Sequence, residues 1–303
     1  MSENLKALKS LLTEINNINA ATAVLEWDQM TYMPSGGAEA RGRQMATLQR
    51  ISHEKFISPE IGRLLDALRP VLADLSHADA ALVEITAYDY EKAMKVPPAF
   101  TAKFSEHVAK TYDAWAKARE EHNFKLVAPL LEKTLELSRQ MANYCPGYQH
   151  IADPLIDDLD QGLTVAVIRP LFEKLRAELT PMVAAMTSQH GPDDACLHQA
   201  FSESEQIKFG LDVAQKIGFD FERGRQDNSP HPFTTSFSLG DVRITTRINK
   251  VNLAEGLLGT IHETGHALYE QGINLDFEGT PLATGTTMSV HESQSRLWEN
   301  LVG

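Results

Sequence analysis

Residues 252–272 read NLAEGLLGTIHETGHALYEQG. Leu253, Leu257, Leu258 and Ile261 recur at helical steps. Asn252 with Glu255 three places on predicts a capping box at the start, and Gly272 marks a stop at the far end. On such a helix His262 and His266 lie one turn apart on the same face and can offer two imidazole nitrogens to a single ion. Glu263 stands one step round, within reach of a water on that ion without binding the ion itself. This is how a zinc peptidase places two ligands and a general base on one helical turn. A surface helix that happens to carry polar residues produces the same pattern.

A catalytic zinc site needs a third protein ligand and one open position. A third histidine close behind, as in HExxHxxGxxH, is excluded: Tyr269 and Glu270 follow, and the glycine stands at 272. The alternative is a glutamate from a second helix. After the loop GTPLATGTTM (279–288) comes SVHESQSRLWEN (289–300), an amphipathic segment with two glutamates, Glu292 and Glu299. Ser289-x-x-Glu292 is itself a capping box, so Glu292 has a structural reading beside the ligand one. Glu299 reads equally as a solvated helix-face charge. Asp276 and Glu278 follow the first helix closely and fit its loop. His291 stays open between metal ligand, substrate contact and core histidine.

Upstream of the HExxH helix, TTSFSLGDVRITTRI (Thr234 to Ile248) is rich in Thr, Phe, Val and Ile with a Leu-Gly-Asp break, which predicts a β-hairpin. Asp241 and Arg243, two apart on a strand, share a face, as a surface ion pair or as a wall of a substrate groove. His231-Pro232-Phe233 is a turn before the hairpin or a substrate-positioning element. Most of the rest of the chain reads as helix. Leu5, Leu8, Leu12, Ile15 and Ile18 form an amphipathic stripe, and further helices are expected at 38–56, 60–75, 78–95, 99–121, 126–144, 164–188 and 203–218. The run DPLIDDLDQG (153–162) lacks the EF-hand ligand spacing and is expected to be a solvated or groove-lining acidic segment. Trp27, Tyr32 and Met33 read as packing, as do Tyr269 and Trp298. The fold class is therefore mainly α: one unit over 1–303, helical over 1–225, with the hairpin and the metal-site helices in 226–303.

The 303 residues are 43% hydrophobic and 23% charged, as in a globular protein. Lys plus Arg number 28 against 41 Asp plus Glu, a net charge of −13 that argues against nucleic acid and anionic membranes as partners. Lys6, Lys9 and Glu14 interrupt what would be the apolar core of a secretory signal, and no apolar run spans a bilayer. Two cysteines, Cys145 and Cys196, make no disulfide framework, so a cytoplasmic location is expected.

HPFTTSF, DVRITTR, HETGHALYEQG and HESQSRLWEN, in that order and at this separation, resemble the M32 family of metallocarboxypeptidases, the carboxypeptidase Taq family. Its HPF, DxRxT, HExxH and HES/GQ blocks stand here at His231 to Phe233, Asp241 to Thr245, His262 to His266, and His291 to Gln294. WDQMTYMPSGGAEARG (Trp27 to Gly42) and DPLIDDLDQG resemble further family segments. The resemblance implies His262, His266 and Glu292 as ligands of one divalent metal, zinc or else cobalt, with Glu263 as the base. It also implies peptide substrates, a gluzincin-like helical groove beside a small sheet, commonly a homodimer, and roles near the site for His231, Asp241, Arg243 and His291. Family members continue past SRLWENLVG, where this sequence stops. The expectation is a chain truncated at its C-terminus that retains the metal ligands, with peptidase activity depending on another chain completing the groove. An HExxH endopeptidase or oligopeptidase, and a non-catalytic scaffold that kept the fold, are the rival readings.

Overall fold

The computed structural model describes residues 3–303. The N-terminal stripe forms α1 (Glu3–Thr31) and buries Leu5, Leu8, Leu12 and Ile15 against Ile61, Leu65 and Leu68 of α3 (Pro59–Leu68) and Leu82 and Val83 of α4 (His77–Ala93). Each such burial contributes about 1.5–3 kcal/mol before entropy is counted. α2 (Ala38–Phe56) packs against α1 and along α5 (Pro98–Glu120). The helix expected over 60–75 ends earlier than its pattern suggested. Pro70 interrupts the ladder, and Arg69–Asp74 continues as a 3-10 turn.

After α6 (Ala128–Tyr144) the acidic run forms a helix, α7 (Asp153–Leu159), with two of its aspartates buried, and, as the groove-lining alternative expected, Asp157 and Asp158 line a groove with Tyr88, Lys92 and residues 280–287. Asp153 accepts hydrogen bonds from the backbone N–H groups of His150 and Val165. Asp157 accepts from the Tyr88 and Tyr148 hydroxyls, Lys92 Nζ and the Gly162 N–H. These carboxylates are internal ties rather than a solvated face. α8 (Val165–Thr187) follows and buries none of its residues. Leu171, Leu175, Leu179, Met182 and Met186 line one exposed stripe of it, at steps of three and four.

The hairpin forms as expected, from β2 (Thr234–Ser238) and β3 (Asp241–Thr246), antiparallel with an irregularity between Ser236 and Ser238. A third strand, β1 (Gly224–Asn228), pairs parallel with β3 on its other edge, giving the order β1-β3-β2. Val242 and Ile244 of β3 pack with Ala214 of α9 (Glu203–Ile217), Phe219, and Ala267 of α10 (Leu253–Gln271). That small core fixes α10 across the sheet, with α11 (Met288–Leu301) against its other side. No helix among the described residues is long and apolar enough to cross a membrane.

Candidate metal centre

Asn252 caps α10 through a hydrogen bond from the Ala254 N–H. The expected capping box does not close, because Glu255 instead pairs with Arg247 and accepts a bond from Asn249. Gly272 ends the helix with ordinary right-handed backbone, so no left-handed cap is present. The structural reading of Glu292 fails in the same way. Thr287, not Ser289, caps α11, accepting from the Val290 N–H, while the Ser289 hydroxyl is bonded to Asp160. Glu292 is left free to face α10.

A glycine lets it come close. A Cβ added at Gly265 would lie 2.7 Å from Ser295 Cα and 2.9 Å from the Gln294 carbonyl oxygen, so only the absence of a side chain permits this helix contact. One turn along α11, Glu292 Oε2 stands 3.3 Å from His266 Nε2 and 3.6 Å from His262 Nε2. The three donor atoms all lie within 4.8 Å of one another. Donors bound to zinc at 2.0–2.1 Å with tetrahedral angles would sit about 3.4 Å apart. The donor set therefore fits a divalent ion with one position left open.

His262 turns its other nitrogen to a carboxylate: Nδ1 lies 2.8 Å from Glu299 Oε2. Arg296 steadies both acids, with Nε 2.9 Å from Glu292 Oε1 and Nη1 2.9 Å from Glu299 Oε2. Burial alone would raise the Glu292 carboxyl, but Arg296, His262 and Ser295 together hold it below its usual range. Burial, helped by the neighbouring His291 and His262 rings, pushes the His266 imidazole down to about 4, leaving it neutral and able to ligate at pH 7. Glu263 is buried beside them. Burial raises its carboxyl, against the Thr234 hydrogen bond and the His262 and His231 imidazoles. Thr234 Oγ1 reaches the Glu263 carboxylate at 2.7 Å and the Glu263 carbonyl at 2.9 Å, so β2 holds the residue at both ends.

The other expected site residues lie outside the three-donor cluster. Asp241 and Arg243 form a two-pronged ion pair at 2.8 Å, and the guanidinium stacks over Trp27 and Phe237 at 4.5 and 4.8 Å. His231 is exposed, bonded to the Pro232 carbonyl and set against Trp115. His291 is bonded to His266 and to Glu270. The sequence pattern gives no role to Glu270 or Thr234, and Glu299, open there between ligand and solvated charge, is the partner of His262 Nδ1. For Glu270 a signal existed, since it falls one further turn along the row of His262 and His266.

Residues 7–303 match the family described as Carboxypeptidase Taq (M32) metallopeptidase. This chain belongs to the M32 family. Carboxypeptidase 1 of Bacillus subtilis (strain 168) is 34% identical over 299 residues, covering 98% of this chain and 60% of the relative. Thermostable carboxypeptidase 1 of Pyrococcus furiosus is 33% identical over 305 residues, covering 100% and 61%. The BsuCP crystal structure superimposes with a TM-score of 0.97 at 34% identity, over 100% of this chain and 61% of that one. The M32 carboxypeptidase from Deinococcus radiodurans R1 gives a TM-score of 0.88 at 41% identity, with the same coverage. The chain thus spans about 60% of the length of the relatives it matches, and shares with them the helical M32 fold and its small sheet. Membership of a metallopeptidase family implies a divalent metal, and the donor set described above suits one.

Proposed function

We propose that this chain is a zinc-dependent metallocarboxypeptidase that hydrolyses the C-terminal bond of peptides. His262, His266 and Glu292 are its metal ligands and Glu263 its general base. The observation that carries this reading is the convergence of two histidine nitrogens and one carboxylate oxygen, each within 4.8 Å of the others, beside a buried glutamate. The names of the relatives supply the carboxypeptidase class. A divalent ion held by His262, His266 and Glu292 would supply Lewis-acid chemistry, polarising a carbonyl and acidifying water. Glu263 takes the proton from the attacking water and passes it to the departing amine, a task suited to a carboxyl raised by burial. Thr234 holds that carboxylate in place meanwhile. His231, Asp241 and Arg243 are assigned to the substrate groove, so their replacement is expected to act on KM. A cytoplasmic setting and a homodimer complete the proposal, the first from the cysteine usage and the second from the family resemblance.

The test uses the 303-residue chain, purified without chelator, its metal counted by mass spectrometry and its products from N-blocked peptides identified. Stoichiometric zinc is expected, and release of single C-terminal residues is the outcome that supports the carboxypeptidase reading. Glu263→Gln should keep the metal and lose about a hundred- to ten-thousandfold in kcat. Cleavage of peptides with an amidated C-terminus would point to an endopeptidase instead. A folded protein that takes up no metal on reconstitution would overturn the proposal in favour of a scaffold.

A further inference from the structure

His291 precedes Glu292 on α11, yet it is not one of the three converging donors. Its ring is wedged between two residues of α10 that stand one turn apart. Nδ1 lies 2.5 Å from His266 Nδ1, and Nε2 lies 2.8 Å from Glu270 Oε1. The Tyr269 and His291 rings pack edge to face, with centroids 5.2 Å apart and an interplanar angle of 71°. Gly285 closes over the imidazole so tightly that an added Cβ would fall 2.5 Å from His291 Cδ2.

The hydrogen bonds then run in one direction. Glu270 Oε1 already accepts the Gly285 N–H at 3.0 Å, and it faces His291 Nε2 as an acceptor too. Of the two tautomers of the neutral ring, the one with its proton on Nε2 satisfies this acceptor. A neutral imidazole has one N–H, so His291 Nδ1 is a lone pair and accepts from His266 Nδ1–H. His266, its proton fixed on Nδ1, presents the lone pair of Nε2, the atom 3.3 Å from Glu292 Oε2. Glu270 is buried, and its other oxygen, Oε2, has no hydrogen-bond partner among the described residues. Such burial is costly and is offset here only by the bonds at Oε1.

We propose that Glu270 and His291 form a positioning relay that sets the tautomer of His266 and so readies its Nε2 for the metal. Glu299 does the same for His262 by direct contact, whereas His266 receives the effect through a second imidazole. The relay gives His291 a task other than contact with substrate, and it rests on the metal-site reading proposed above.

Two substitutions separate the relay from a merely structural role. Glu270→Gln keeps an acceptor oxygen; Glu270→Met keeps the unbranched shape and removes the acceptor. In the metal-free, 15N-histidine-labelled chain, long-range proton–nitrogen spectra report which ring nitrogen carries the proton. Zinc affinity is read by competition with a chromophoric chelator. The expected result is a protonated Nδ1 at His266 in the parent and in Glu270→Gln. Glu270→Met should lose that preference and bind zinc about 10- to 100-fold more weakly. His291→Ala, folded by circular dichroism, should match Glu270→Met. The relay is overturned if Glu270→Met binds zinc like the parent with His266 still protonated at Nδ1, a result that leaves the metal site standing. If the parent takes up no zinc at all, the metal reading fails and the spectra alone decide. Nδ1 protonation present in the parent and lost in Glu270→Met upholds the relay, and any other pattern overturns it.

Discussion

Thr234 spends one hydroxyl proton on two oxygens of Glu263, its carboxylate and its carbonyl. A hydrogen bond to a charged group is worth about 1.5–3 kcal/mol. Thr234→Val, which keeps the shape and removes the hydroxyl, should therefore lower kcat/KM by about ten- to a hundredfold. Metal content should stay unchanged, because no ligand is touched. Asp157 gives a prediction in acid. Its burial would raise the carboxyl, but Tyr88, the Gly162 N–H, Tyr148 and Lys92 outweigh that and bring it down to about 2. In the unfolded chain the same group titrates near 3.9. The unfolded state therefore takes up its proton first, and the stability that Asp157 contributes is present above pH 4 and lost as the pH falls through about 2. Asp157→Asn should flatten that limb of a stability–pH curve and cost about 1–3 kcal/mol at neutral pH through donors left without a carboxylate. These roles were hard to read in sequence for one reason. The partners of Thr234 and Asp157 stand largely on other elements, and spacing along a chain reports only on neighbours within one element.

At the scale of elements, the contact between α10 and α11 sets the distance between the two halves of the donor set. Gly265→Ala should drive the helices apart, lower unfolding free energy by about 1–3 kcal/mol and weaken zinc binding, since Glu292 rides on α11. Gly191→Ala, where an added Cβ meets nothing within 4 Å, is the control that should change neither. The helices were legible because their apolar residues keep a period of 3.6, and β2 with β3 because Thr, Val, Ile and Phe suit a pleated surface. β1 was not legible. Gly-Arg-Gln-Asp-Asn has no strand preference, and it is extended because the open edge of β3 offers it a parallel partner. The buried ties of the acidic run were hidden for a related reason. Composition showed many carboxylates, but not that Tyr88, Tyr148 and backbone N–H groups lie in wait for two of them.

At the scale of the whole molecule two forces on the surface oppose each other. The stripe of Leu171, Leu175, Leu179, Met182 and Met186 on α8 favours contact with any apolar surface, another copy included. The net charge of −13 keeps copies apart. Charge repulsion reaches about 10 Å at 0.1 M ionic strength and about 3 Å at 1 M, whereas apolar attraction does not fade with added salt. The colloidal behaviour should thus run opposite to that of a protein held together by ion pairs. Light scattering is expected to show larger particles as sodium chloride is raised, and replacing Leu175 and Met182 by glutamine should abolish the trend.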